Sequence, residues 1–176
     1  DKFIEHLQSL EQRDRGAIAA LRRSLGFAPG AYPPAFPSVE RFAVQDDDKP
    51  SMRQALYLTA GLFALHPMHI AGQSLAAVLA RVMMARKKSP SIEKRFVALL
   101  AAEPEELPDH LRQIVSLLAA DSAGLDYSAL LGDLAIWLNP FAFEQRDRIR
   151  QRWAQAFYRV TMSDDETAST ATVNQD

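Results

Sequence analysis

Residues 51–65, SMRQALYLTAGLFAL, decide the fold. On a helix of about 3.6 residues per turn their apolar side chains lie nearly all round: Leu56, Leu58, Leu62, Phe63 and Leu65. A helix that is apolar on every side must be covered on every side, so this stretch predicts the central helix of a helical core. His66 and Pro67 end it, because proline cannot continue a helix.

The same periodicity predicts helices over most of the remaining chain. They are 3–25, 38–42, 71–86, 90–102, 108–120, 127–138 and 143–160. Residues 28–38 hold four prolines and Gly30, which predicts a loop. Alternation at period two never persists, so strand signals are weak. The sequence therefore predicts an all-α protein made of two small antiparallel helical bundles.

A basic turn near residues 87–91 gives the predicted domain boundary. We predict an N-terminal helical bundle over 1–88 and a C-terminal one over 89–160. Residues 161–176 are rich in Ser, Thr and Asp, which predicts a disordered acidic tail.

Composition excludes several classes of protein. The 176 residues contain no cysteine, which excludes disulfides and thiolate metal sites. No apolar run approaches the roughly 20 residues of a membrane span, and residues 1–5 do not form a signal peptide. We expect a cytoplasmic protein with no membrane partner, whose first residue lies inside a longer natural chain.

The net charge of −2 hides an asymmetry along the chain. Residues 1–95 hold 14 Lys and Arg against 9 Asp and Glu, whereas residues 161–176 hold only acidic charges. The whole chain is not basic enough for a typical stand-alone nucleic-acid binder, so any such role depends on local patches.

The last predicted helix carries five arginines around an apolar stripe of Ile149, Trp153, Ala156, Phe157 and Val160. We place Arg148, Arg152 and Arg159 on one flank, and Arg146 and Arg150 on the other. Guanidinium groups bind phosphate oxygens in pairs, so both flanks suit a phosphate backbone. The alternative is a solvated helix whose charges keep the protein soluble.

Tests for catalytic and metal sites are negative. His66 and His69 could hold one metal ion, but no third ligand lies nearby in the sequence. No phosphate-binding glycine loop and no nucleophile motif occurs. We therefore predict no enzyme activity, no metal and no cofactor.

The acidic side chains have structural explanations. Those at 103, 105, 106 and 109 precede or begin a predicted helix, where negative charge stabilises the positive end of the helix dipole. Asp133 falls between Leu131 and Leu134, so we expect it to be semi-buried and paired with an arginine.

Two cations conflict with their local structure. Arg53 and Arg112 occupy the first turns of predicted helices, where the dipole disfavours positive charge, which indicates that the charge serves a ligand. The aromatic residues do not interleave with the basic ones, so nucleic acid would be bound by its backbone rather than its bases. Instead we predict that these aromatics are core: Phe63, Phe96, Trp137, Trp153 and Phe157.

Six strings, taken in order and spacing, resemble one family. They are ALRR at 20–23, AGLFALHP at 60–67, SIEKRFVALL at 91–100, LPDHLR at 107–112, DYSALLGDL at 126–134 and WAQAFY at 153–158. Together they resemble the small subunit of the type I-E CRISPR Cascade complex, the CasB family, over about residues 3–160.

The resemblance implies a non-catalytic helical subunit of an antiviral ribonucleoprotein, working as a head-to-tail pair with a second copy of itself. It implies that the subunit contacts other Cascade subunits. It also implies that the subunit stabilises the guide RNA–target DNA hybrid and the displaced DNA strand, while a separate protein degrades the DNA.

By position, the resemblance points to Arg23, Arg53, Lys94, Arg95 and the arginines of 146–152. We predict nine backbone contacts from charge and resemblance together: Arg22, Arg23, Arg53, Arg81, Lys88, Arg95, Arg112, Arg146 and Arg150. The proline-rich 28–37 loop matches the family poorly. The acidic 46–48 loop would repel phosphate and is expected to point away from it.

Two other hypotheses remain open. One is a helical protein–protein adaptor, whose arginines pair with acidic partner surfaces and never touch nucleic acid. The other is a helical hydrolase or nuclease, which the absence of a clustered acidic or histidine constellation argues against.

Overall fold

The computed structural model describes residues 1–44 and 49–173, and in that part nine α-helices form an all-α fold, as predicted. The helices are α1 (Lys2–Arg13), α2 (Arg15–Ser24), α3 (Phe36–Ala43), α4 (Pro50–Leu65), α5 (Leu75–Ala85), α6 (Pro90–Ala101), α7 (Leu107–Ala120), α8 (Tyr127–Trp137) and α9 (Phe143–Val173). A 3₁₀ turn, Pro33–Ala35, precedes α3. The predicted acidic loop 46–48 lies outside the described residues.

Helix α4 is central, as its apolar composition predicts. Every residue from Ala55 to Ala64 is buried. Helices α2, α3, α7 and α8 all pack against it. A helix without a polar face thus becomes the axis on which the other helices assemble.

The end of α4 is joined to the start of α8 by a buried tyrosine. The Tyr127 hydroxyl donates hydrogen bonds to the carbonyl oxygens of Leu62 and His66, at 3.2 Å and 2.6 Å. Both carbonyls also accept a backbone amide, Leu62 from His66 and His66 from Met68, so the hydroxyl adds a buried side-chain contact between the end of α4 and the start of α8. Burial raises the pKa of Tyr127, which keeps it a donor.

Aromatic pairs connect α9 to the core. Phe96 of α6 stacks on Phe157 with ring centroids 4.2 Å apart, and Trp137 of α8 contacts Trp153 at 5.2 Å. All five aromatic residues predicted as core are buried, and so is Ile149 of the predicted stripe. The prediction that the apolar stripe of α9 faces the core is therefore confirmed.

Two predicted helix boundaries are wrong. The stretch 3–25 forms two helices, because Asp14 leaves helical geometry at φ −140° and its carboxylate accepts a hydrogen bond from the Ala17 amide at 2.9 Å. Asp14 thereby caps α2. The helix predicted to start at residue 71 begins at Leu75, with Ser74 as its N-cap.

The end of the chain also differs from the prediction. Helix α9 continues to Val173, whereas composition predicts disorder from residue 161. Side chains that would favour disorder bond inside the helix instead, since Thr161 donates to the Tyr158 carbonyl and Ser163 to the Arg159 carbonyl, both at 2.9 Å. Lys88 adds an ion pair to Asp165.

The buried apolar side chains of both halves of the chain belong to one cluster. Helix α4 packs on α8, and α5 packs on α9, so contacts run between the two halves. The division into an N-terminal bundle (1–88) and a C-terminal bundle (89–160) stays a prediction.

Two helical glycines test the packing of the core. A Cβ at Gly61 would lie 3.2 Å from the backbone oxygen of Leu21 and 2.6 Å from a methyl carbon of Leu25, whereas a Cβ at Gly132 meets nothing within 4 Å. Gly61→Ala is expected to destabilise the protein by about 1–3 kcal/mol through overpacking of α2 on α4. Gly132→Ala is expected to be neutral or to stabilise by up to about 1 kcal/mol. Urea unfolding followed by circular dichroism measures both, and equal stability of the two variants would contradict the close α2–α4 contact.

Candidate nucleic-acid interface

The nine cations predicted from the sequence fall into two groups. Six are exposed: Arg22, Arg23, Arg81, Lys88, Arg95 and Arg112. The other three, Arg53, Arg146 and Arg150, are buried or half-buried and have partners within the fold.

Arg146 lies in the core rather than on the surface. It is 3% exposed, its guanidinium lies 5.1 Å from the Phe143 ring centroid, and its Nη1 is 3.4 Å from Glu103 Oε2. A phosphate cannot reach it in this conformation. We therefore correct the prediction: Arg146 holds α9 against the segment that joins α6 and α7.

Arg150 serves the same junction one turn later. Its Nη2 donates to the Ala102 carbonyl at 2.9 Å and lies 3.8 Å from Glu103 Oε1, and its guanidinium stacks over Trp137. Asp147 takes a further bond at 3.2 Å. Both Nη groups donate inside the protein, and the Nε group is buried without a partner in the described part of the chain, so Arg150 is also removed from the predicted contacts.

Arg53 fixes the proline-rich loop. Its guanidinium donates to both carboxylate oxygens of Glu40 at 3.0 Å and 3.2 Å, and to the Gly30 carbonyl at 3.3 Å. It also lies 4.8 Å from the Tyr57 ring centroid. Gly30 has φ +85°, a backbone conformation that favours glycine, and a Cβ there would also meet the Arg53 guanidinium where the loop passes the arginine. This role replaces the predicted phosphate contact.

The Glu40–Arg53 pair gives a pH-dependent prediction. Hydrogen bonds from Arg53 and then Tyr57 hold the pKa of Glu40 below its usual value of 4.5. Because the folded pKa is depressed, the stabilisation is complete above the unfolded pKa and is lost as the pH falls through the folded pKa.

Glu40→Gln is accordingly expected to lower the free energy of unfolding by only about 1 kcal/mol at pH 7, because the pair is partly exposed. The cost is expected to be smaller at pH 3, because the stabilisation by the ionised carboxylate is lost as the pH falls. Urea midpoints from pH 3 to 7 measure this difference. A constant difference between variant and parent over that range would show that the carboxylate charge contributes nothing.

The six exposed cations differ in how far contacts within the fold compensate their charge. Arg22 donates to the Ala64 carbonyl at 3.1 Å, and Arg81 donates to the neutral amide of Gln73, so neither has an ion-pair partner among the described residues. Lys88 is compensated by Asp165. Within residues 1–44 and 49–173, the side chains of Arg23, Arg95 and Arg112 have no hydrogen-bond or ion-pair partner.

A basic groove between α6 and α7 brings several polar side chains together. It has a volume of about 270 Å³ and no carboxylate from the described residues lines it. Its lining is Ser91, Lys94, Arg95, Ala98, His110 and Gln113. We call it the α6/α7 groove. Arg112 is the neighbour of Gln113 on α7, whereas Arg22 and Arg23 belong to α2 and are not part of this groove.

Lys94, to which the resemblance points by position, and His110 are not among the nine predicted contacts, yet they line this groove. For Lys94, the sequence does indicate a position beside the other groove residues of α6. Ser91, Lys94, Arg95 and Ala98 have the spacing i, i+3, i+4 and i+7, which puts them on one helical face. The approach of His110 depends on how α7 packs on α6, which no local pattern reveals.

The other chemical candidates have structural roles. His66 Nε2 donates to the Ala123 carbonyl at 2.8 Å, and His69 Nδ1 accepts from the Tyr127 amide at 3.1 Å. The part of the chain that the structure describes has no cluster of three His, Cys, Asp or Glu side chains able to hold a metal ion. Asp133 pairs with Arg152 and accepts from Trp153 Nε1 at 2.7 Å, which confirms the predicted arginine partner.

Within the described residues, no helix combines the length and the apolar character needed to cross a bilayer. The α6/α7 groove offers fixed positive charge and hydrogen-bond donors, and the described residues hold no cluster of three His, Cys, Asp or Glu side chains able to bind a metal ion. Such a surface can attract a sugar-phosphate backbone without regard to its sequence.

Comparison with known proteins identifies the relatives of this chain. Residues 17–158 match the sequence profile of the family described as CRISPR-associated protein Cse2. A CRISPR-associated protein Cse2 from Thermus thermophilus is 38% identical over 169 residues, which cover 94% of both chains.

Solved structures give the same result. A Cse2-family protein from Thermus thermophilus is 39% identical, with a TM-score of 0.77 over 89% of this chain and 96% of that one. CasB from M. ruber is 32% identical, with a TM-score of 0.77 over 95% and 98% of the two chains. A chain of a CRISPR RNA-guided surveillance complex shares the fold, with a TM-score of 0.78 at 22% identity over 96% of both chains.

Proposed function

This chain belongs to the family of CRISPR-associated protein Cse2, and on that premise we propose that it is the non-catalytic small subunit of a type I-E CRISPR surveillance ribonucleoprotein. In that role it stabilises the guide RNA–target DNA hybrid and the displaced DNA strand in antiviral defence. The fold shared with a chain of a CRISPR RNA-guided surveillance complex supports membership of such an assembly.

One observation carries the nucleic-acid part of the proposal. The α6/α7 groove presents Lys94 and Arg95 with no carboxylate among its lining residues, and Arg112 follows on α7. A cation without a nearby anion keeps its charge available for a ligand. Phosphate is the ligand that such a groove attracts without reading bases.

The energetics of target opening explain why a few cations are enough. A guide RNA–DNA hybrid is about as stable as the DNA duplex that it replaces, so a modest number of backbone contacts shifts the balance. Base pairing supplies the sequence specificity, and this subunit therefore needs no base-specific side chains.

The proposed partners are the hybrid, the displaced strand, the other subunits of the complex and a second copy of this chain arranged head to tail. We propose the cytoplasm as the site of assembly. In this proposal DNA degradation is left to a separate nuclease.

A helical protein–protein adaptor is the alternative. It is favoured by the fate of Arg53, Arg146 and Arg150, since the fold uses three of the nine predicted contacts for itself. An adaptor would use its remaining arginines on acidic protein surfaces.

Binding of the isolated chain to labelled nucleic acids separates the two functions. Single-stranded DNA, duplex DNA and an RNA–DNA hybrid, each in two unrelated sequences, are titrated by fluorescence anisotropy from low to physiological salt. We expect affinities that fall steeply with salt and do not depend on sequence. Absence of binding at the lowest salt would support the adaptor and refute the nucleic-acid role.

A further inference from the structure

An apolar groove runs between the loop after α2, the start of α4 and the segment that links α8 to α9. It has two parts, of about 550 Å³ and 630 Å³, which share Pro50, Ser51 and Pro140. We call it the Pro50 groove. Pro50 is the first residue of α4 and Pro108 is the second residue of α7, so the walls of the groove are rigid and lack amide donors at those two points.

Large apolar side chains line this groove without cover. Phe27 is 52% exposed in the first part, and Ile136 and Phe141 are 38% and 86% exposed in the second. Single apolar side chains on a surface are ordinary, but several around one concave surface are typical of a contact with another macromolecule.

Charge selects the kind of macromolecule. Glu105 and Asp109 line the first part, and no Lys or Arg of the described residues lines it with them. Neither carboxylate has an ion-pair partner in the described part of the chain. A phosphate backbone would be repelled here, whereas an ammonium or guanidinium group would be attracted.

We propose that the Pro50 groove binds a protein segment that carries a large apolar side chain beside a Lys or Arg. The apolar side chain would pack against Phe27 and the prolines, and the cation would pair with Glu105 or Asp109. This inference rests on the proposed function in one respect: a subunit of a larger assembly needs a protein-binding surface apart from its nucleic-acid surface.

The two grooves differ in charge and therefore suit two kinds of partner. The α6/α7 groove has cations and no lining carboxylate among the described residues, while the first part of the Pro50 groove has carboxylates and no lining cation among them. Lys49 lines only the second part of the Pro50 groove, so the α6/α7 groove and the first part of the Pro50 groove carry opposite charges, which favours two chemically different ligands.

Short peptides of fixed sequence test the groove on the full chain. The probes are GKLFKG, its acidic counterpart GELFEG and its apolar-deleted counterpart GKAAKG, all blocked at both ends. Backbone amide shifts in NMR spectra report where each one binds. GKLFKG is expected to shift the amides of Phe27, Gln54 and Leu138 at least about tenfold more strongly than either counterpart at equal concentration.

A charge-reversed variant supplies the matched control. Glu105→Lys with Asp109→Lys is expected to exchange the preference, so that GELFEG shifts these amides more than GKLFKG. Equal shifts from the acidic and basic probes, or shifts confined to other surfaces, would overturn the proposal.

Cross-linking in the assembled complex identifies the class of natural occupant. The photoreactive residue p-benzoylphenylalanine is placed at Phe27 in one sample and at Ala98 of the α6/α7 groove in another. We expect the first to cross-link to another protein within a segment bearing Lys or Arg, and the second to cross-link to nucleic acid. Cross-linking of position 27 to nucleic acid or to a second copy of this chain would overturn the inference, as would no cross-link there.

Loss of the nucleic-acid product at position 98 alone would instead count against the proposed function.

Discussion

Arg146→Glu is expected to lower the free energy of unfolding by about 3–5 kcal/mol. Arg146 is 3% exposed, and the carboxylate that faces it belongs to Glu103. The change puts two negative charges at one junction and leaves the new one buried without a partner. Urea unfolding followed by tryptophan fluorescence measures the loss, since Trp137 and Trp153 lie in the same part of the core.

Two further variants serve as controls. One puts the same charge change at an exposed position of the helix, and the other separates charge from volume at Arg146. Arg148→Glu, on the exposed side of the same helix, is expected to change stability by less than about 0.5 kcal/mol. Arg146→Met is expected to cost less than Arg146→Glu, because the Glu103 side chain is 61% exposed and can be hydrated once its partner is gone. Equal stability of the two glutamate variants would contradict the buried position of Arg146.

The largest expected effect on binding comes from the α6/α7 groove. The double variant Lys94→Glu, Arg95→Glu is expected to weaken binding of a complementary target by the assembled complex by about tenfold to a hundredfold at low salt, since each phosphate contact releases a counterion. The loss should be similar for all target sequences, because neither side chain reads a base. Electrophoretic mobility shift with labelled target DNA measures it.

A control of equal charge change accompanies that variant. Lys2→Glu with Arg13→Glu alters two exposed cations of α1 that are not among the predicted contacts. We expect target affinity within about twofold of the parent complex. A loss as large as that of the groove variant would show that only overall charge matters, and the assigned groove would then be wrong.

The central helix, the core aromatics and the fold class could be predicted because they depend on local composition. An apolar stretch such as 51–65 has one stable environment in water, and the stripe through Ile149, Trp153 and Phe157 has one side to bury. The start of α8 at Tyr127 follows from capping chemistry, since the Asp126 carboxylate accepts from the Ala129 amide at 3.0 Å. The helix predicted from residue 51 begins one residue earlier, at Pro50.

The assignment of Arg146 failed although the sequence carried a warning. Arg146, Ile149, Trp153 and Phe157 have the spacing i, i+3, i+7 and i+11, so the arginine lies on the apolar stripe itself and not beside it. Arg148 lies on the opposite, exposed side of α9. An arginine on a buried stripe indicates an internal ion pair.

Other features depend on contacts between distant segments. Arg53 lies in the first turn of α4, where its charge indicates a ligand, but the ligands are Glu40 and the Gly30 carbonyl. Nothing in the local sequence says that the proline-rich loop passes this side chain. The pairing of Lys88 with Asp165 is likewise set by how α9 lies along the chain, and it accompanies a helix where composition predicts disorder.

The salt dependence of target binding tests the central claim most directly. The complex is assembled with the parent chain or with a variant in which Arg23, Lys94, Arg95 and Arg112 are all replaced by Gln, and complete assembly is verified by size-exclusion chromatography. The slope of log affinity against log salt is expected to become shallower by about 0.7–0.9 for each lost contact, with discrimination against mismatched targets unchanged. Identical slopes and affinities for the two complexes would contradict the claim that this chain binds the nucleic-acid backbone through its exposed cations.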